Sequence, residues 1–575
     1  MNRKLLLPIL ASLALVACGR EDVSDDAVES VALLEHVPAD TPYLMANLQH
    51  LPDETVEHFW DLLEIYGSDL ERQLEQAAEA VEEEDSPLAD WTGALSRELS
   101  GQINREGLRD RGIDINTHYA FYGHRVLPVL RMMLADGEAF RAMLQRLEDD
   151  AGQSIPEAAH GDHGYYRLDL GEVLVVMALD EDELMISLLP ESLEEAKLPA
   201  LLGEELPEDA FSASRLAEFN RDEGYLPYGS GFVDLKALVE RFLTDTGTEM
   251  DALRQMAGVD LDDISAACSA EYRALVAFTP RMVTGYRVME ADHMTTHARL
   301  VLADELAESM TGVVDTPMAI EEPDEGQLNL ALALDLVALR DLVRDHLSEL
   351  VENPPECDTF AHIRDNAESW YSTVNQPIPP IITNIKGFRL QLSDFNLVDQ
   401  RPEDPRGLVS VHMRNPQLMF GMAEMFSPDL AALEIRPGGE PKRIPPGIIP
   451  AEGADEVDMF IAMSDDAIGL AASEAEAGRL HDYMEAGKGE GGSLLGLGYD
   501  GRAWAEFMAG LNETTLAALG EDLDDEDREA AVEEMARQAD SAAAMAEIIR
   551  RTWMRIGFSD KGMDFEQTLH LGRED

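Results

Sequence analysis

The sequence predicts an α+β protein built from two homologous halves, each a mixed or antiparallel sheet with helices packed on one face. Three observations carry this. Short apolar strands alternate with amphipathic helices along the chain. Acidic turns join neighbouring strands closely enough to form hairpins, which supply antiparallel pairs. The strand, polar residue and helix unit also recurs in the same order in both halves. An all-parallel doubly wound sheet leaves no place for those hairpins.

The chain of 575 residues opens with Arg3 and Lys4, a largely apolar run from Leu5 to Ala17, and Cys18-Gly19. That run is too short to span a bilayer as a helix, which takes about 20 residues, so residues 1–17 read as a cleaved export signal. Leu15-Val16-Ala17-Cys18 resembles the lipobox of bacterial lipoproteins. The resemblance implies that Cys18 is diacylated on sulfur, becomes the mature N-terminus and is acylated again; several acyl chains make a stable anchor where one does not. By analogy with Gram-negative lipoproteins, Gly19 in place of the Asp that retains them in the inner membrane implies an outer-membrane address. Residues 18–37 then form a lipid-anchored tether, polar and acidic from Arg20 to Ser30.

The first strand is expected at Pro42 to Ala46. Tyr43-Leu44-Met45-Ala46 leads to Asn47 and a helix through Val56, Phe59, Trp60 and Leu63; Gly231-Phe232-Val233 leads to Asp234 and a helix through Leu238, Val239 and Phe242. The same unit returns as Leu330 to Leu334 before Asp335, and as Leu494 to Leu497 before Asp500. An Asp or Asn at such a junction is what a helix N-cap requires, because its side-chain oxygen accepts from an unpaired backbone N–H. A second unit, with a Met-rich helix, surrounds Asp136 and again Asn415; a third, two strands around an acidic turn, surrounds Asp182 and again Asp466. The four pairs Asn47 and Asp335, Asp136 and Asn415, Asp182 and Asp466, Asp234 and Asp500 are offset by 288, 279, 284 and 266 residues. The halves are read as 38–305 and 326–575, joined by a linker at 306–325, each closing on a hairpin near His293 to Leu302 and Asp564 to Leu571. A long Ala/Glu-rich helix is expected from Asp524 to Trp553.

Val37-Pro38-Ala39-Asp40-Thr41-Pro42-Tyr43, with the strand, Asp turn and strand of Glu172 to Leu188, resembles a family of exported bacterial proteins of unknown function whose mature chains open on a Pro-Ala-Asp-Thr strand motif. The resemblance covers mainly the first half. It implies an exported, anchored protein and transfers no catalytic residue.

Composition narrows the function. With 45% apolar and 27% charged residues the chain has ordinary globular composition. A formal charge of −70 argues against a nucleic-acid binder, which needs a basic footprint. Only seven of the 44 basic residues are Lys. An acidic, Lys-poor surface fits a protein bathed in high salt, where self-repulsion is screened within about 3 Å at 1 M; the alternative is that the acids serve a cationic ligand. Beyond Cys18, the cysteines Cys268 and Cys357 are disulfide candidates in an oxidising compartment, or else two buried thiols.

No catalytic, cofactor-binding or metal residue is assigned. Gly496-Leu497-Gly498-Tyr499-Asp500-Gly501 has dinucleotide-binding spacing, but the equivalent junctions lack the glycines. Gly229-Ser230-Gly231 precedes its strand instead of following it, the wrong order for a nucleophile elbow. His160-Gly161-Asp162-His163, with His293 and His297 elsewhere, could offer nitrogens to Zn²⁺ only if a third ligand arrived, and the carboxylates at Asp180 to Glu183 and Glu521 to Asp527 lack calcium-loop spacing. The loop Ile435 to Glu452, rich in Pro and Gly, presents the basic pair Lys442 and Arg443 as partner-contact candidates. Met413, Met419, Met422 and Met425, with Phe420 and Phe426, either fill the core or form an adaptable apolar groove.

The expectation is a non-enzymatic outer-membrane lipoprotein facing the periplasm that binds another envelope component. The alternatives are a carrier for a lipid or other hydrophobic ligand held between the halves, and a periplasmic hydrolase. The N-terminal peptide of the mature protein should begin at Cys18 and carry acyl chains by mass spectrometry; an unmodified N-terminus at another residue would remove the anchor.

Overall fold

Leu44 and Ala46 are buried while Tyr43 and Met45 are half-buried, the two-residue period of a strand with one face covered. That strand is the centre of the first sheet. The structure is a computed structural model describing residues 32–83, 89–170, 173–257, 264–398, 401–448, 457–489, 491–519 and 525–572. It is mixed α/β with antiparallel strand pairing, and it divides into two units, Met1–Ala298 and Arg299–Asp575. Among the described residues no helix is long and apolar enough to cross a membrane.

The first unit carries β1 (Tyr43–Ala46), β2 (Tyr119–His124), β3 (Leu127–Met133), β4 (Glu157–His160), β5 (His163–Asp169), β6 (Val173–Asp180), β7 (Glu183–Pro190), β8 (Ser230–Asp234), β9 (Arg281–Met289) and β10 (His293–Val301). β1 pairs with β2 through Leu44 and Tyr122, and with β8 through Leu44 and Phe232. The strand order is β4-β5-β6-β7-β3-β2-β1-β8-β9-β10. Leu44, Tyr122, Leu174, Leu189, Phe232 and Val283 share one core.

The second unit carries β11 (Leu328–Ala333), β12 (Ile385–Val398), β13 (Arg401–Met413), β14 (Lys442–Arg443), β15 (Met459–Met463), β16 (Ala467–Ala472), β17 (Ser493–Asp500), β18 (Ile549–Ser559) and β19 (Gly562–Leu571). Here the order is β14-β15-β16-β13-β12-β11-β17-β18-β19. Setting β1 against β11 aligns eight strands of each unit in one order, from β6 and β15 at one side to β10 and β19 at the other. Helices follow at matching places, Gly137–Ala151 after β3 and Pro416–Phe426 after β13. The first of these buries Phe140, Met143, Leu144 and Leu147, helical spacing on one face, each contributing roughly 1.5–3 kcal/mol.

Besides Asp335, four of the junction residues cap helices as expected. Asp136, Asp234, Asn415 and Asp500 accept from the backbone N–H three residues on, at 2.7–3.2 Å. Asn47 does not. Its helix starts only at Asp53, and the Asn47 amide instead donates to the Thr117 carbonyl at 2.8 Å and accepts from the Tyr119 N–H at 3.0 Å, tying the end of β1 to the start of β2. Asp335 caps Leu336–Glu352 and does more. Its Oδ2 pairs with Lys386 Nζ, 2% exposed at its side chain, and with Arg414 at 3.0 Å. Burial alone would raise the Asp335 carboxyl; the Lys386 ammonium and the Ala338 and Val337 N–H groups outweigh it and hold the pKa below the usual range.

Two readings meet more structure than the sequence suggests. Residues 306–325, read as a linker, are packed: the helix Asp304–Val313 runs into them, and Ala307, Val313, Val314, Met318 and Ile320 are buried. The acids and prolines of this stretch hide its apolar residues. The long helix spans Asp525–Ile548, not to Trp553; from Ile549 the chain is β18, where Trp553 is buried beneath β17.

Replacing Lys386→Met should cost about 3–5 kcal/mol by urea unfolding, because the Asp335 carboxylate loses its buried partner. Adding Asp335→Asn, which keeps a capping side chain, should recover more than half. A cost below 1 kcal/mol for the single variant would show that the pair holds nothing.

Candidate functional site

The helix Pro416–Phe426 starts with Asn415 capping Leu418 and proline in the first turn, an arrangement that fixes its direction. Met419 and Phe420 turn inward, and Phe420 packs with Ile444, Ile461 and Met463. A helix resting on a core normally carries polar residues on its other side. Here that side is Leu418, Met422 and Met425, spaced as neighbours on one face and 55%, 41% and 82% exposed.

A second group of exposed apolar residues stands beside the start of this helix. The Arg414 N–H donates to the Asn384 carbonyl at 3.0 Å, and Ile385 pairs with Met413 across β12 and β13. On that adjoining turn Ile381, Ile382 and Ile385 are all exposed. A cavity of about 160 Å³ opens among Ile382, Ile385, Phe388, Leu332, Leu334 and Leu336. It has room for one large apolar side chain. In a chain of charge −70, these are two clusters of exposed Ile, Leu and Met at one end of a hairpin.

The residues singled out by sequence are dispersed. Cys18 lies outside the described residues. Cys268 sits in the first turn of Ala266–Phe278, Cys357 is buried before the turn Asp358–Phe360, and each is disulfide-bonded. Lys442 and Arg443 are both exposed and form β14, an edge strand on β15, with Arg443 ion-paired to Asp458. The loop around them is held by its own contacts: Gly438 N–H to the Met463 carbonyl at 2.9 Å, His481 Nε2 to the Gly439 carbonyl at 2.8 Å, and Ile444 in the core. Its ordering therefore follows from covering a sheet edge; positions 449–452 lie outside the described residues, as do the side chains of Phe426 and of Glu521 to Asp527.

Gly496 and Gly498 lie inside β17, not in a phosphate loop. A Cβ at either would come within 2.7 Å of the Trp553 ring, so the glycines make room for it. Ser230 is fully buried and donates to Asn220 Oδ1. His160 and His163 face each other across the β4–β5 turn, and His160 bonds Glu204 at 3.1 Å. His297 is buried and contacts the Tyr225 hydroxyl at 2.8 Å. Glu290, Asp292 and His293 bring ligand atoms within 4.8 Å of one another on the β9–β10 turn, where His293 Nδ1 and Asp292 Oδ1 are 3.1 Å apart. Asp182, exposed in its acidic turn, accepts the Gly137 N–H at 2.8 Å and joins that turn to the helix Gly137–Ala151.

Sequence reasoning missed the buried titratable groups, which had no spacing to reveal them. Arg131, 4% exposed, reaches Glu183, the Leu201 carbonyl and the Tyr122 hydroxyl. In the second unit Ser410 Oγ lies 3.2 Å from His412 Nε2, both residues fully buried, while Arg389 lies over the Tyr483 ring at 4.5 Å. Burial, then the nearby Arg389, pushes His412 down to about 4. Burial, then Lys197 and Arg125, does the same to His124. Both shifts keep these imidazoles neutral near neutral pH.

Comparison with known proteins finds no matching family model, no matching characterised protein and no matching solved structure.

Between pH 6.5 and about 4 the unfolded chain takes up protons at these two histidines that the folded chain refuses. Stability complete above pH 6.5 should therefore fall as the pH drops through this window, by on the order of 2–3 kcal/mol per histidine. His412→Gln should flatten that part of the profile in denaturant unfolding; an unchanged slope would mean that His412 is already protonated in the fold.

Proposed function

We propose that this chain is a lipid-anchored protein of the bacterial outer membrane, facing the periplasm, that works without catalysis by binding another envelope protein. The observation carrying this reading is the pair of exposed apolar clusters, Leu418, Met422 and Met425 beside Ile381, Ile382 and Ile385, with a side-chain-sized cavity opening among the isoleucines. Flexible Met side chains suit a surface that must fit a partner. The lipobox around Cys18 supports the anchor and the address, and the acidic, Lys-poor composition supports a surface solvated in salt.

We also propose that the two units descend from one ancestral unit by duplication, with helices covering one face of each sheet. The common order of eight strands and the matched polar residues at four junctions support this. The carrier alternative gains less: Met413 and Met419 are buried with their neighbours and fill space.

The test is gentle detergent extraction of the native protein followed by mass spectrometry of what stays bound. A stoichiometric envelope protein should be retained, and the double variant Met422→Glu and Met425→Glu should reduce its retention at least ten-fold while stability shifts by no more than about 0.5 kcal/mol, as exposed sites allow. Retention of a lipid with no protein would replace this reading with the carrier.

A further inference from the structure

The first unit holds a pocket of about 520 Å³ lined by the helix Ala213–Glu223, the helix Leu235–Thr244, β8, β9 and the residues before β1. Arg281, half-buried, lies over Phe232 with Cζ 4.0 Å from the ring centroid and 5.6 Å from that of Phe219. Its Nε, shielded from solvent, has no hydrogen-bond partner; its guanidinium makes no ion pair among the described residues, and the acidic charges acting on it are Asp234, its partner across β8 and β9, and Glu223. Arg215 covers Phe211 at 4.6 Å in the same way and is likewise without an acidic partner among the described residues. A guanidinium flat on a ring keeps its N–H edge free for a planar, bidentate acceptor.

The remaining charged groups divide cleanly. Arg241 is engaged: its Nη2 donates to the Asp40 carbonyl at 2.6 Å and to Asp40 Oδ2 at 2.7 Å. Asp234 caps the helix at the Ala237 N–H, at 2.7 Å. Two carboxylates in the lining, Glu218 and Asp222, have neither task, and with Arg215 they lie on one helix face at helical spacing. The pocket thus offers two cations, the exposed Arg215 and the half-buried Arg281, and two exposed carboxylates, Glu218 and Asp222, none of them in an ion pair among the described residues. A polyanion meets repulsion from the carboxylates, and a simple cation meets it from the guanidinium groups. Leaving a shielded guanidinium without an acceptor is costly, and one ligand class answers both signs at once.

We propose that this pocket binds a small zwitterion, an amino acid or short peptide, with its carboxylate held by Arg281 and Arg215 and its ammonium by Glu218 and Asp222. The site lies wholly in the first unit and does not depend on the docking surface of the second.

Isothermal titration of the detergent-solubilised full-length protein tests it, with alanine and dialanine as zwitterions and acetate, methylammonium and inorganic phosphate as controls carrying charge of one sign only. At least one zwitterion should bind ten-fold or more tightly than acetate and methylammonium. Arg281→Met should weaken that binding at least ten-fold. Asp222→Asn, at an exposed position, should weaken it several-fold and serves if Arg281→Met does not fold. Equal or tighter binding of phosphate or acetate would make this an oxyanion site, and absence of binding by either zwitterion would overturn the proposal outright.

Discussion

Both sheets depend on how the end of a central strand is fastened. β1 and β11 are hydrogen-bonded on both sides, so the residue that follows each must turn the chain out of the sheet without leaving buried backbone groups unpaired. In the first unit the Asn47 amide does this with neutral bonds to the backbone at 117 and 119. In the second the same place holds Asp335, Lys386 and Arg414, with the carboxylate also capping the helix. The amide is simpler. The ionic solution fixes three segments at one point, at the expense of desolvating two charges, so its value is in geometry more than in net stability.

An acidic protein with few cations places them deliberately. Arg131, Arg389 and Arg281 are sunk against tyrosine, tyrosine and phenylalanine, where a delocalised, weakly hydrated guanidinium tolerates partial burial better than an ammonium does. Lys386 is the exception, and it has a carboxylate at its tip. The acids, meanwhile, occupy exposed helix faces and turns, so the charge of −70 is largely a property of the surface and leaves the sheet interiors ordinary.

Junctions were legible in the sequence because capping is local: Asp136, Asp234, Asn415 and Asp500 stand where a strand pattern stops and a helix pattern starts. Hairpins were legible for the same reason, through Asp182 and Asp466. Asn47 misled because five residues separate it from its helix, and the cap residue type served another bond. β17 was legible as a strand at Leu494 to Leu497, but its glycines also matched a dinucleotide-binding spacing; the position of Trp553, more than fifty residues later, explains them. The pocket of the first unit was invisible for a stronger reason. Residues 40, 215, 222, 241 and 281 share no motif and meet only through the pairing of β1, β8 and β9.

The strand order also sets when folding can finish. In each unit the first strand to be synthesised is the one in the middle, and its second neighbour arrives late: Leu44 waits for Phe232, about 190 residues on, and Leu330 for Leu497, about 170 on. Pairing over such separations is slow, because a long loop must close before any contact rewards it. A chain emerging N-terminus first would therefore hold an incomplete sheet through most of each unit. Such a chain commits to its final shape only once nearly all of a unit has been made.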